Sequence, residues 1–357
     1  MKNRNGKNFF LDILPPPDYL RMPALCLDFS DKSLKYIEFQ RKKRVISVRR
    51  FGIYALQEGI IEGGEIKQKE KLISFLKLIK KNLKTENIIA SLPEEKVFLS
   101  RINFPLMDKD KIREALSLQL DEYVPLSGAE AIFDYDIINE PQKNKKPEYL
   151  HLNLAAFSRN FVESYRDVFV GAGFVPIAFE MEAQAFVRAV VSKKEMENVI
   201  VIDFGKTRTT FAIASNGKVQ FATTVAIAGE EMEKAFIANL KIERTQIERA
   251  KREIGLIKRK GNEKLFEALK PIISVIKDEV AKQAIYWSSH QEDDQKQAKV
   301  SKIILCGGES TLAGLPEFLS YELKIKTELG NPWVNVASFE EYIPEIERGD
   351  SLAYSTV

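Results

Sequence analysis

The stretch NVIVIDFGKTRTTFAIA, residues 198–214, decides how the chain is read. Val199-Ile200-Val201-Ile202 is an unbroken β-branched run, short enough to be one buried strand. It ends on Asp203, turns at Gly205 through a Lys/Thr/Arg corner and resumes as a second strand over 209–214. A strand-turn-strand of this composition can wrap backbone N–H groups around a phosphate while the carboxylate reaches a hydrated cation. It also suits an ordinary hairpin on a buried sheet, and so short a motif does not choose between the two. Gly205-Lys206-Thr207 spells the end of a Walker P-loop, but Ile200 stands where that motif needs glycine. The P-loop reading fails.

A second copy shifts the balance. LCLDFSDKSLKYIEF, residues 25–39, aligns without gaps on 200–214, with Asp28 on Asp203, Phe29 on Phe204 and Ser30 on Gly205. The separation is too long for a solenoid and suits a duplicated domain. Two acid-tipped hairpins, one per lobe, can face each other across a cleft and hold a nucleotide's phosphate tail.

The 357 residues allow two or more domains, and 45% hydrophobic with 29% charged is ordinary globular composition. A net charge of +3 gives no electrostatic case for nucleic acid. Cys26 and Cys306 are the only cysteines and lie in apolar runs, which argues against a disulfide framework or zinc site and for a reducing compartment. Neither histidine, His151 or His290, accompanies a nucleophile elbow. No apolar run is long enough to span a membrane, and MKNRNGKNFFLDILPPP lacks the apolar core of a secretory signal. A cytoplasmic protein is expected.

Residues 1–23 read as an extended arm, apolar over 9–14 and stiffened by Pro15-Pro16-Pro17. Leu72, Phe75, Leu76, Ile79 and Leu83 share one face of a helix over 69–83 whose lysines face solvent. Strand 96–103, helix 109–122, strands 132–138 and 149–157, helix 161–170 and strand 175–179 give the order βαββαβ. The polar 140–148, EPQKNKKPE, reads as an exposed loop, as does 291–299. Pro271 is expected to open a helix running to about His290. Strand 302–306 runs into Gly307-Gly308-Glu309, where bare backbone can take a flat group, although structural turns of this kind are commoner.

In this order, with the acid-bearing Phe179-Glu180-Met181-Glu182-Ala183 between the hairpins, the features resemble the actin-like ATPase superfamily. Within it, IREALSLQLDEYVP (112–125), Phe133-Asp134-Tyr135, AGFVP (172–176), Glu182-Ala183-Gln184-Ala185-Phe186 and Arg188-Ala189 resemble the PilM family of type IV pilus assembly, which is related to FtsA. The resemblance covers 24–357. It implies an α/β, two-lobed actin-like fold with an inserted βαββαβ module. The division would be an arm at 1–23, a first-lobe phosphate-hairpin subdomain at 24–94, the module at 95–178 and a second lobe at 179–357. The second lobe would comprise a connecting helix at 179–197 and nucleotide-binding subdomains at 198–357.

The resemblance also implies roles. Asp28 and Asp203 would hold Mg through water, and backbone N–H groups of Ser30, Asp31, Lys32, Ser33, Gly205, Lys206, Thr207 and Arg208 would cradle the phosphates of ATP or ADP. Glu182 would orient the attacking water, Gly307, Gly308 and Glu309 would face the adenine, and Lys251 the ribose. The chain departs from the family at Ser30, where glycine is usual and a Cβ restricts positive φ, and at Ala228-Gly229, where a diglycine is usual. It stops at Ser355-Thr356-Val357 where relatives continue into an apolar helix, as a truncated chain or a shortened lobe would. These departures bear on hydrolysis more than on binding. The implied partner is the N-terminal cytoplasmic tail of a PilN-type membrane protein, in a groove beside the module, so the membrane is met only indirectly. Residues 9–17, with Leu11-Asp12-Ile13-Leu14-Pro15, are similar in pattern to such a tail, and two readings stay open: self-docking near that groove, in cis or in a neighbouring copy, or an ordinary strand extension or disordered tail. An oligomer is compatible with the sequence. Alternatives are an active ATPase or sugar kinase of the superfamily, or the cytoplasmic domain of a type II secretion protein.

Overall fold

Two five-stranded sheets of identical strand order form the two lobes of this computed structural model, which describes residues 23–42, 45–138, 149–289, 299–336 and 342–357. The self-docking segment, the 140–148 loop and nearly all of 291–299 lie outside the described residues.

The first lobe opens with β1 (Leu25–Phe29), β2 (Ser33–Lys42) and β3 (Val45–Ala55). A short ribbon of β4 (Ile61–Glu62) and β5 (Glu65–Ile66), helix α1 (Lys69–Lys80) and β6 (Asn87–Leu92) follow. Then come β7 (Val97–Pro105), α2 (Lys109–Leu118), α3 (Leu120–Tyr123), β8 (Ala131–Ile137), β9 (Tyr149–Ser158), α4 (Arg159–Gly171), β10 (Val175–Met181) and α5 (Glu182–Val190). The second lobe holds β11 (Asn198–Phe204), β12 (Thr209–Ser215), β13 (Lys218–Val225), α6 (Gly229–Leu240), α7 (Ile247–Glu253) and α8 (Glu263–Ser289). It continues with β14 (Val300–Cys306), α9 (Leu315–Leu323), β15 (Lys326–Leu329) and α10 (Arg348–Ser351).

The sheets run β10-β6-β1-β2-β3 and β13-β12-β11-β14-β15. Each central strand, β1 or β11, pairs antiparallel with the next strand and parallel with one reached by a crossover. The duplication seen in the sequence is a duplication of topology. The apolar run in β11 has a physical reason, because both its faces are covered. Ile200, Ile202 and Phe204 pack with Met232 and Phe236 of α6 and Ile273 and Ile276 of α8, while Val199 and Val201 meet Ala183, Phe186 and Val187 of α5. Full burial contributes about 1.5–3 kcal/mol for each large apolar side chain. In the first lobe Leu25, Leu27 and Phe29 pack under Leu72 and Leu76 of α1 and Tyr165 and Phe169 of α4.

The six elements expected from 95 to 180 occur in the expected order, but their pairing divides them. The inserted sheet is three-stranded, β7-β9-β8, around Phe104, Ile112, Leu116 and Leu152. The closing strand, β10, pairs parallel with β6 in the first lobe. Pro271 does not open a helix; it sits inside α8. The stripe Leu265, Leu269, Ile273, Ile276 and Val280 is buried on both sides of it, and that packing outweighs the roughly 3 kcal/mol cost of an interior proline. Among the described residues no helix is long and apolar enough to cross a membrane.

Candidate functional site

Hairpin register sets the site. β1 and β2 place Asp28 opposite Lys35, and β11 and β12 place Asp203 opposite Thr210. Asp28, 3% exposed, accepts from Lys35 Nζ at 3.1 Å, Thr356 Oγ1 at 2.6 Å and Ser91 Oγ at 2.8 Å. Burial opposes its charge, but the Lys35 ammonium and the donated bonds outweigh burial and hold its pKa below the ordinary carboxylate value. Burial also works against the charge of Lys35, and the fields of Asp28 and Asp203 reverse it, raising its pKa. Asp203 receives no hydrogen bond among the described residues, and burial pushes it up to about 6 against the pull of Lys35 and Arg208. Two acids equivalent in sequence differ in state: Asp28 is satisfied, Asp203 is not.

The hairpin corners keep donors in reserve. In the first, Ser30 N–H bonds Ser33 O at 2.8 Å and Ser33 N–H bonds Ser30 Oγ at 3.1 Å, leaving the N–H groups of Asp31 and Lys32 unengaged among the described residues. Ser30 does not have a positive φ, so the expected restriction from its Cβ does not arise. Asp31 accepts from Gly63 N at 3.0 Å and Gly64 N at 3.2 Å, and Lys32 reaches Glu230 of the second lobe at 3.4 Å. In the second corner Gly205 N–H bonds Arg208 O at 3.0 Å, leaving those of Lys206 and Thr207 unengaged among the described residues. Lys206 Nζ pairs with Glu233 at 3.0 Å.

Arg208 does more than the sequence suggested. Its guanidinium, on a residue 9% exposed, meets Glu182 Oε1 at 3.1 Å, Glu95 Oε2 at 2.9 Å and Asp31 Oδ1 at 3.8 Å, tying the second-lobe hairpin to the first lobe. The other Glu182 oxygen accepts Glu94 N–H at 3.3 Å, and Glu94 Oε2 accepts Ala183 N–H at 3.0 Å. Both Glu182 oxygens are therefore engaged. Burial pushes Glu182 up to about 8 against the pull of Arg208, and pushes Glu94 up to about 7.

Glu94 gives a pH prediction. The folded chain keeps its proton up to about 7, whereas the unfolded chain releases it near 4.5. Its contribution to stability is thus intact below 4.5 and lost as pH rises through about 7. Glu94→Gln should therefore lose less stability between pH 5 and pH 8 than the unaltered chain in urea unfolding. An unchanged fall would contradict this.

On the far side of Asp203 the diglycine has a steric reason. Gly307 has φ 85° and ψ 159°, a region open in practice only to glycine. A Cβ there would lie 2.4 Å from both Asp203 Oδ1 and Phe204 O. Gly307→Ala should destabilise by about 2–4 kcal/mol, strain and overpacking together, read from the urea midpoint. A loss under about 0.5 kcal/mol would show that the turn relaxes freely. Beside it Lys251, 1% exposed, pairs with Glu309 at 2.6 Å, Glu248 at 3.0 Å and Glu233 at 3.6 Å. The Glu309 carboxylate lies over Gly229, whose Cβ position is 2.3 Å from it.

Contacts thus join the two hairpins, Arg208 to Asp31 and Glu182, Lys32 to Glu230 and Gly307 against Asp203, while Lys251 and Glu309 form an ion cluster of their own. Sequence reading missed Lys35, Ser91, Glu94, Glu95 and Thr356. Lys35 alone carried a signal, since a hairpin closed by Ser30 and Ser33 sets 28 opposite 35.

A family profile described as "Type IV pilus assembly protein PilM" matches residues 26–355. The chain belongs to the PilM family. Among solved structures it is similar to a PilM-PilN type IV pilus biogenesis complex, with TM-score 0.74 and 19% identity over 94% of this chain and 98% of that one. It is also similar to MreB5 of Spiroplasma citri bound to ADP, with TM-score 0.55 and 13% identity over 88% and 93%. The AMPPNP-bound form of the same protein gives TM-score 0.53 and 13% identity over 86% and 91%. These likenesses establish the actin-like fold.

Proposed function

We propose that this PilM-family protein is a cytoplasmic scaffold of type IV pilus assembly that captures the N-terminal tail of a PilN-type membrane protein and meets the membrane through it. Family membership and the likeness to a PilM-PilN complex support the partner. The observation that carries the reading is a groove of about 490 Å³ between the module and the first lobe, flanked by two edge strands. β8 ends the module's sheet and β10 ends the first lobe's, so among the described residues each lacks a strand partner on one side, with the β8 carbonyls of Ala131, Phe133 and Ile137 taken by Arg159, Arg113 and Lys218. Leu99, Ile132, Tyr135 and Phe179 line the groove with apolar surface. An extended peptide gains main-chain bonds from such an edge and specificity from apolar pockets. Ile132, 37% exposed, is the residue to change. Ile132→Asp should weaken a synthetic PilN-type tail at least tenfold in calorimetry, and unaltered affinity would overturn the groove assignment.

The cleft suits a nucleotide. Unengaged N–H groups at Asp31, Lys32, Lys206 and Thr207 fit the phosphates of ATP or ADP. The unpartnered Asp203 fits Mg retained with its waters, whereas Asp28 would have to give up Lys35. Bound there, magnesium would neutralise phosphate charge. The engagement of both Glu182 oxygens favours binding over rapid hydrolysis. Titration with ATP or ADP in magnesium should show saturable binding; absence of heat from either would overturn this part.

A further inference from the structure

We propose that the groove between the module and the first lobe selects a tail by one basic side chain, lysine or arginine, received between Asn153 and Asp136. The proposal rests on the reading of that groove as a peptide site and names the chemistry the tail must bring.

One buried atom in the groove lacks a partner. Asn153 lies in β9, the central strand of the module's sheet, lines the groove and is 7% exposed. Its Nδ2 donates to the carbonyl of Val219 in β13 of the second lobe. A carbonyl oxygen only accepts, so the amide cannot turn over without losing that bond, and Oδ1 is fixed as the spare atom. Oδ1 is buried and receives no hydrogen bond among the described residues. A buried acceptor without a donor is costly, and most such atoms in folded proteins are satisfied. Closed off from water, Oδ1 gains a donor only from a group pressed into the groove.

Strand register supplies a second acceptor. Asp136 of β8 lies directly opposite Asn153. Directly opposed residues of an antiparallel pair share a face, with Cβ atoms about 5 Å apart. Asp136 also lines the groove, is exposed and forms no ion pair among the described residues. The cations around it are engaged elsewhere. Arg101, opposite Asn153 on the β7 side, sets its guanidinium over the Trp287 ring, 5.9 Å from the centroid. Lys218 donates to the Ile137 carbonyl at 3.2 Å, and Arg113 pairs with Asp134 at 2.5 Å.

What remains is an amide oxygen beside a carboxylate, both acceptors. A hydroxyl or amide from the tail would satisfy Oδ1 and leave the charge of Asp136 unanswered. An ammonium carries three donors and a guanidinium five, so either can serve both acceptors and neutralise the carboxylate. An acidic side chain would meet only acceptors and a like charge, so the same pair rejects as well as selects. The apolar lining of the groove suits the stem of a long basic side chain.

The test is calorimetry on the full chain with a synthetic PilN-type tail in which each residue in turn is made lysine, methionine or glutamate. One position should prefer lysine over methionine by about tenfold, and over glutamate by more. Asp136→Asn should cut that preference below about threefold and flatten its dependence on salt. Asn153→Ala should cut it too, and its urea midpoint shows whether the fold has held; the exposed Asp136 carries the test if it has not. Absence of a lysine preference, a preference spread evenly over all positions, or one that survives Asp136→Asn would each overturn the proposal. A tail that binds the unaltered chain, weakens with Ile132→Asp and shows any of those three results sinks this proposal alone. If no tail binds, or binding ignores Ile132→Asp, the groove reading fails and this proposal with it.

Discussion

Arg208→Met should destabilise the chain by about 2–4 kcal/mol at pH 9, above the point where Glu182 gives up its proton, and a second substitution, Glu182→Gln, should recover much of that loss. Among the described residues Arg208 is the cation in ion-pair contact with Glu182, Glu95 and Asp31, and Glu182 is buried with it. Removing one partner of a buried pair leaves the other charge uncompensated, which costs more than the pair contributes. The penalty has a ceiling, because Glu182 can escape by taking a proton. With its pKa already pushed up to about 8 by burial, Glu182 holds its proton through neutral pH and presents a charge to strand only as pH rises through about 8. The loss should accordingly be larger at pH 8 than at pH 5, where protonation is easier. With Glu182→Gln in place no carboxylate is stranded beside the missing arginine, and the pH dependence of the loss should shrink. A uniform loss at every pH, unrescued by the second substitution, would mean that Arg208 acts through packing of its stem instead.

The same residue shows how far the sequence could be read. The lobes, the hairpins and the covered faces of β11 were legible because buried strands announce themselves as apolar runs, and here the run occurs twice with its acid. The backbone of the 205–208 corner sits where it was expected, but the Arg208 side chain leaves the corner for three carboxylates contributed by other elements. Such partners are set by folding at long range, and nothing local marks them. Thr356 meets Asp28 across 328 positions of sequence. β10 shows the same limit: its β character was plain from residues 175–179, yet the sheet it joins depends on pairing with β6. Pro271 was misread for the opposite reason, a strong local signal overruled by the stripe on either side of it.

The cleft should respond asymmetrically to two substitutions that the sequence treats as equivalent. Asp203→Asn should cost at least tenfold in nucleotide affinity in magnesium, with little change when the metal is chelated, because the lost group is the unpartnered carboxylate. The folded chain should gain about 1–2 kcal/mol at pH 8. The sign follows from a folded pKa raised from 3.8 to about 6: the contribution of Asp203 is intact below 3.8 and lost as pH rises through about 6, so an amide removes a penalty. Asp28→Asn should do the reverse. Its folded pKa is lowered, so its contribution is present above 3.8, fades as pH falls through the folded value and is forfeited by the amide. The bond to Lys35 weakens, and stability should fall by about 2–3 kcal/mol, discounted because Lys35 is partly exposed. Nucleotide affinity should fall less than threefold, since the Lys35 ammonium, freed from Asp28, still faces Asp203 and stays in the cleft. Equal losses of affinity in the two variants would show that Lys35 leaves Asp28 when the metal arrives and that both acids hold it. The duplication would then extend from topology to chemistry, whereas opposite responses would mean that the first lobe has replaced a metal contact with a lysine of its own.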